Sequence, residues 1–300
     1  MVQPVVAGVD GSEESLAAAE WAAREAVRRD RPLRLVHAWA WHPRRTAGEP
    51  ANAALRHQAR HCLRQATERV RATCPDLRLD HEEAEGPATA ALLRAAGKAE
   101  LLVLGSRGLS GFTGFLVGSV ALGVVARADC SVVLVRAGEE AADEHLPAEG
   151  GDPSVRTGYR DVVVGLDVTE PGDEILEFAF ETALLRHARL RVVHAWRAPG
   201  PLALGPGEVA LMDERDRARE WRGFVTAFLQ VWRDKYPDVE VLETVVADKP
   251  ANALIRAATG AGLLVVGRRS AERPVGPRTG PVAHAAIQYV DCPVAVVPHT

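Results

Sequence analysis

Leu101-Leu-Val-Leu-Gly105-Ser-Arg-Gly108-Leu-Ser-Gly-Phe-Thr-Gly-Phe-Leu-Val-Gly118-Ser119 reads as a buried strand, a glycine-rich loop and the start of a helix. The apolar run Leu101 to Leu104 supplies the strand, and the apolar-periodic run Val120 to Ala128 supplies the helix. Glycine lets a backbone turn sharply and approach an anion, because no Cβ stands in the way. Backbone N–H groups and the positive end of a helix dipole then converge where phosphate can be held. No Lys follows in the P-loop sense, and the tight dinucleotide fingerprint is missing.

The other end of such a pocket falls after the first strand, Val5-Val-Ala-Gly-Val-Asp10, where the chain continues Gly11-Ser12-Glu13-Glu14. A carboxylate there repels phosphate, so Asp10 is suited to accept hydrogen bonds from the base or ribose end of a nucleotide. Ser12 is a plausible helix N-cap, and the two glutamates favour the first turn.

The chain is a tandem duplication. Leu35-Val-His-Ala-Trp39 returns as Val192-Val-His-Ala-Trp196, and Val-Gly-Leu-Asp167 repeats the stretch that ends at Asp10. Leu101-Leu-Val-Leu-Gly105 returns as Leu263-Leu-Val-Val-Gly267, and Asp129-Cys-Ser-Val-Val-Leu-Val135 as Asp291-Cys-Pro-Val-Ala-Val-Val297. In the first copy, strands are expected near 4–9, 33–38, 77–83, 101–105 and 131–135, with helices near 13–29, 50–73, 87–97 and 118–127. Continuous Val/Leu runs predict parallel strands covered on both faces. The fold class is therefore α/β: two tandem, doubly wound, Rossmann-like domains with five-stranded parallel sheets. Ligands bind at the carboxyl ends of such strands, where Asp10 and Gly105 both fall.

The domains are expected at 1–137 and 159–300. Between them, 138–158 is acidic and rich in Pro and Gly (Glu139-Glu140, Asp143-Glu144, Pro147, Gly150-Gly151, Pro153), and reads as a solvated linker. Its length lets the two sheets meet along their last strands, as an internal pseudo-dimer that hides an apolar edge.

The Gly-x2-Gly-x9-Gly-Ser spacing, with Asp10 at the other end, resembles the ATP-binding branch of the universal stress protein family. The resemblance covers both copies. It implies ATP or AMP as ligand, with Mg²⁺ as a possible companion, and a regulatory role in survival under stress. It also implies pairing through the last strand and leaves room for a homodimer and an unidentified protein partner. Carried over residue by residue, it places Ala38 against adenine and Gly8, Leu104 and Val120 around the pocket. Gly105, Arg107, Gly108, Gly118 and Ser119 would meet the phosphates.

The second copy departs from this pattern. Gly267 and Gly280 survive, but Ser270 replaces the middle glycine and Pro281 stands in the place of Ser119. Proline suits the first turn of a helix yet brings neither hydroxyl nor N–H. Asp167 and Ala195 keep the base end, and Arg268, Arg269, Arg273 and Arg278 offer charge. The expectation is a degenerate, structural half, with Asp167, Ala195, Gly267, Arg269 and Gly280 as the candidate residues of a second site.

Composition narrows the classes. Three hundred residues, 47% hydrophobic and 25% charged with net charge −4, fit two globular domains and argue against a nucleic-acid binder. No leader or bilayer-length apolar run is seen, so the expected location is cytoplasmic, away from membranes. Cys62 and Cys74, twelve apart on one expected helix, would stand roughly 18 Å apart and could not bond. Cys130 and Cys292, at the start of the final strands, read as small buried residues rather than redox sensors. His37 and His194 read as satisfied rim histidines. His42, His57 and His61 lack partners at metal spacing. Trp39 and Trp41 are expected to pack on the long second helix rather than stack on a base. No catalytic residue is identified. A nucleotide-independent scaffold and a slow ATP hydrolase are the alternatives to a nucleotide-binding regulator.

Overall fold

The computed structural model describes residues 2–39, 49–106, 117–170, 172–197, 214–270 and 279–300. Its first half runs β1 (Val5–Gly8), α1 (Glu13–Arg28), β2 (Leu33–Trp39), α2 (Glu49–Thr73), β3 (Leu79–Glu85), α3 (Ala88–Ala96), β4 (Leu101–Ser106), α4 (Ser119–Val125) and β5 (Ser131–Arg136). The second half repeats the series. It contains β6 (Val162–Gly165), α5 (Asp173–Arg186), β7 (Leu190–Trp196), α6 (Glu214–Lys235), β8 (Val241–Ala247), α7 (Pro250–Ala257), β9 (Leu263–Arg269), α8 (Pro281–Tyr289) and β10 (Val294–His299).

Each half is a five-stranded parallel sheet, and the two join into one ten-stranded sheet of order β3-β2-β1-β4-β5-β10-β9-β6-β7-β8. The join is antiparallel, with Val132 opposite Val296, Val133 opposite Ala295 and Leu134 opposite Val294. The last strands therefore pair, as the duplicated sequence predicts, and neither is left as an open apolar edge. Alternating side chains feed two cores. Val5, Leu101, Val103 and Val133 face the side of α1, α2, α5 and α6, with Trp21 and Phe180 buried among them. Val6, Leu102, Leu104 and Val132 face the side of α3, α4, α7 and α8, with Leu92, Val124, Leu254 and Ile287.

Helix α1 starts where its cap predicts: the Ser12 side chain accepts from the Ser15 N–H at 3.2 Å, and Glu13 and Glu14 occupy the first turn. Strand β3 begins two residues later than expected. Its sequence is Leu-Asp-His-Glu-Glu-Ala-Glu, an edge strand without an apolar run, and pairing of Leu79 with Leu33 sets its position. Cys74 lies one residue beyond α2, and all four cysteines are free. Trp39 is buried, with Arg56 of α2 stacked 5.3 Å from its ring centroid, which is the packing role expected for it. Among the described residues, no helix is long and apolar enough to cross a membrane.

The acidic segment after β5 is not uniformly solvated. Ala141–Glu144 forms a short 3-10 turn, and the Glu144 side chain is fully buried. It accepts hydrogen bonds from Arg24 and Arg28 of α1. Beside it, α1 meets α5 through a buried cluster: Arg186 donates to Glu25 at 2.9 Å, and Arg29 donates to Glu25 at 2.8 Å and to Thr182 at 3.0 Å. Composition predicts solvation of this segment. The recess of guanidinium groups built by two distant helices overrides it, because a buried cation requires a carboxylate.

Two arginines clamp the halves together on the opposite face. Arg136 at the end of β5 donates to Val290 O at 2.8 Å and Gln288 O at 3.2 Å, capping the C-terminus of α8. Arg268 on β9 donates to Ala126 O at 3.4 Å and to Ala128 O, just past the C-terminus of α4. Cations at helix C-termini satisfy carbonyls that have no intrahelical partner.

Candidate functional site

Strand β1 lies between β2 and β4, so the chain leaves it towards opposite sides and a crevice opens at the carboxyl ends. Gly8 lies in register with Leu104 on one side and Val36 on the other. Ala38 sits near the end of β2, half-buried on the same rim, and Asp10 follows β1. Ser119 is the first residue of α4 and, with Val120, is exposed, while Gly118 caps the helix without any side-chain hydrogen bond. Among the described residues, no side chain caps the N–H groups of this first turn. Arg107 and Gly108 lie outside the described residues.

The loop after β1 is held in shape by its own polar groups. One Asp10 carboxylate oxygen, Oδ1, accepts from the Ser12 N–H at 3.0 Å and the Ser12 hydroxyl at 2.6 Å. Burial raises the Asp10 pKa, but the hydrogen bonds from Ser12 and Ser15 and the nearby His37 outweigh it and hold the carboxyl below its ordinary value. The Ser15 hydroxyl accepts from the N–H groups of Asp10 and Gly11, both at 3.2 Å. His37 Nδ1 lies 2.8 Å from Val9 O, and His194 Nδ1 lies 3.0 Å from Leu166 O in the second half. Both histidines brace the strand ends through Nδ1, but the buried Nε2 of His194 has no hydrogen-bond partner among the described residues, so only His37 fits the expectation of a satisfied rim residue.

Gly105 has the packing role that is the alternative reading of a glycine at a tight strand–helix connection. A Cβ there would stand 2.6–2.8 Å from backbone atoms of Glu14 and Ser15, so the first turn of α1 rests directly on Gly105. Its glycine identity is accounted for by that contact alone.

The second half carries a cavity of about 1110 Å³ on its rim. Gly165, Asp167, Ala195, Val266, Gly267, Gly280, Pro281 and Val282 all line it. These are the repeat equivalents of Gly8, Asp10, Ala38, Leu104, Gly105, Gly118, Ser119 and Val120. Arg269 lines it too, so the five residues of the second candidate site are brought together. Asp167 Oδ1 repeats the turn of the first half, accepting from Thr169 N at 3.0 Å and Thr169 Oγ1 at 2.6 Å.

The differences lie at the phosphate end. Gly280 enters α8 with φ +73°, whereas Gly118 enters α4 with φ −59°. Arg269 is ion-paired with Glu170, and Arg268 is spent on the carbonyls behind α4. Burial pulls the Arg268 guanidinium below its ordinary pKa, with Asp129 acting in the opposite direction. Arg273 and Arg278 lie outside the described residues. Helix α5 starts six residues after Asp167, against three for α1 after Asp10, so the loop there is longer. Ile175, Leu176 and His299 fill the space that this leaves, and Ala126, Arg127 and Asp129 of the first half close one wall. No sequence signal pointed to His299 or to that wall.

A family model described as the universal stress protein family matches residues 1–136 and again 158–298. The chain belongs to the universal stress protein family. A universal stress protein of Mycobacterium tuberculosis is 30% identical over 310 residues, covering 97% of this chain and 94% of that protein. A second from the same organism is 31% identical over 300 residues, covering 97% and 96%. The crystal structure of a universal stress protein from Archaeoglobus fulgidus superposes with a TM-score of 0.73 at 16% identity, covering 99% of this chain and 98% of that one. This universal stress protein thus shares its two-domain architecture with a solved member of the family.

Proposed function

We propose that this protein binds an adenine nucleotide, ATP or AMP, along the rim of its first half and acts as a nucleotide-responsive regulator of survival under stress. The observation that carries the reading is the second-half cavity: the repeat equivalents of eight first-half candidates all line it. In the first half the phosphate end keeps what the second lacks, a hydroxyl and an N–H at Ser119. Asp10 Oδ1 is held by Ser12, which leaves Oδ2 to accept ribose hydroxyls. Mg²⁺ would accompany a triphosphate.

One observation favours a second reading. Gly105 is explained by the α1 contact, so the glycine-rich loop need not report on phosphate, as in a nucleotide-independent scaffold. A thermal-shift titration with ATP, AMP and GTP, with and without Mg²⁺, separates the two. A ligand at a hundred times its Kd adds about 2.7 kcal/mol to the state that binds it. An adenine-selective shift, lost in Gly118→Ala/Ser119→Ala, supports the pocket. No shift and no co-purified nucleotide favours the scaffold. Phosphate release in the same samples tests for slow hydrolysis.

A further inference from the structure

We infer that strand β8 pairs antiparallel with β8 of a second copy of this chain, about a two-fold axis at Thr244, so that the sheet continues from one molecule into the next. The ten-stranded sheet ends in β3 on one side and in β8 on the other. These edges are repeat equivalents, since Leu79 pairs with Leu33 where Val241 pairs with Leu190. Their chemistry differs position by position. Asp80, Glu82, Glu83 and Glu85 of β3 are matched by Leu242, Thr244, Val245 and Ala247 of β8. Asp80, Glu82 and Glu85 are exposed, and charge of this kind keeps an edge from pairing. The one carboxylate of β8, Glu243, is folded back onto α6, where it accepts from Thr226 Oγ1 at 2.6 Å and from Arg233 Nη2 at 2.8 Å. Leu242 is 41% exposed. Strand β8 is thus an edge without the charges that guard its counterpart.

The backbone fixes which groups are on offer. Leu190 N donates to Glu240 O at 2.8 Å and Asp248 N to Trp196 O at 3.0 Å, so the even-numbered residues of β8 bond to β7. In such a parallel ladder the N–H and C=O groups of Val241, Glu243, Val245 and Ala247 point away from the sheet. Arg233 reaches Val241 O at 3.5 Å, and among the described residues no strand faces the other three. Antiparallel pairing about Thr244 sets Glu243 against Val245 and Val241 against Ala247 as the hydrogen-bonded pairs of a new ladder. Leu242 then meets Val246, and Thr244 meets its own copy, as the non-hydrogen-bonded pairs. No carboxylate opposes a carboxylate, and Thr–Thr and apolar pairs are favourable across strands. Strand β3 paired with itself about its centre would oppose Glu82 to Glu82, so the second copy is received at β8. A two-fold axis closes the assembly at two chains.

Sedimentation equilibrium of the full chain tests this. The parent is expected at twice the chain mass. Thr244→Lys and Thr244→Glu each set like charges across the axis, and should sediment at the chain mass with an unchanged circular-dichroism spectrum. Mixing the two variants should restore the dimer, because opposite charges then face each other. Glu82→Lys, on the other edge, should stay dimeric. Thr244→Cys gives a positional readout that does not depend on the charge variants folding. Non-hydrogen-bonded partners lie about 4.5 Å apart at Cα, within disulfide reach. Mild oxidation should therefore give a covalent dimer that the parent, with its four free cysteines, does not form. A monomeric parent, a dimer that survives Thr244→Lys, or no cross-link in Thr244→Cys overturns the inference. So does an assembly larger than two chains that is lost in Glu82→Lys, which would make β3 the partner edge.

Discussion

Arg186 of the second half donates from Nη2 to Oε2 of Glu25 in the first half at 2.9 Å, and each side chain is 1% exposed. The two residues lie 161 positions apart, so this contact exists only in the assembled pair of domains. Arg28 and Arg29 also face Glu25, so three guanidinium groups surround one carboxylate. Removing one partner of a buried pair leaves an uncompensated charge and costs about 3–5 kcal/mol. Glu25→Ala is expected to destabilise more than Arg186→Met, because it takes the carboxylate from buried Arg186 and one partner each from Arg28 and Arg29, whereas Arg186→Met leaves Glu25 paired with both. Urea denaturation at pH 7 measures both, and equal midpoints would contradict the account.

The same cluster predicts how stability follows pH. Burial raises the Glu25 pKa, but Arg186, Arg29 and Arg28 outweigh it and leave the carboxyl far below its ordinary 4.5. The unfolded chain then binds the proton more tightly, so this stabilisation is present above about pH 4.5 and is lost as pH falls. Glu139 has the opposite sign. Burial, with Asp143 and Glu144 nearby, pushes its carboxyl up to about 8, although Arg24 and Arg186 pull it down. Stability therefore falls as pH rises from about 4.5 to about 8. Glu139→Gln should raise the melting temperature at pH 8.5 and leave it nearly unchanged at pH 4; an equal gain at both would refute the charge argument.

Gly105→Ala tests the seat of α1. The added methyl must displace the backbone of Glu14 and Ser15 rather than a flexible side-chain end. Overpacking of this kind costs about 1–3 kcal/mol, which lowers the melting temperature by several degrees. Because the same turn holds the Asp10 loop, nucleotide affinity should fall along with stability. A variant as stable as the parent would show that α1 does not rest on this glycine.

Thiol chemistry gives a simple measurement. Burial pushes Cys130 up to about 11 and Cys292 up to about 12. Reactivity follows the thiolate. Iodoacetamide at pH 7.5 should leave both unlabelled in the folded protein and modify them readily in urea. Rapid labelling of native Cys130 or Cys292 would reopen a redox role.

The rim of the first half was legible because strand ends, cap residues and glycine loops are local signals. Val5–Gly8 and Leu101–Ser106 announce themselves as apolar runs, and Ser12 as an N-cap. Strand β3 was harder to bound, since an edge strand needs no apolar run. The repeat pointed to Asp167, Ala195, Gly267, Arg269 and Gly280, and these five line one cavity. The cavity's cross-domain wall and the place of His299 in it belong to no motif. They arise from where α4 and β10 come to lie.

By itself, then, the sequence determined the duplication, the parallel α/β architecture and the end of each sheet at which polar groups gather. These follow from short-range periodicity and from glycine and cap chemistry, which act within a few residues. Tertiary structure alone decided that Glu144 is buried, that Arg268 caps the far end of α4, and that Arg269 on the second rim is paired with Glu170. The reason is desolvation. A charge leaves water only where partners from distant parts of the chain meet it, and no local pattern encodes that meeting.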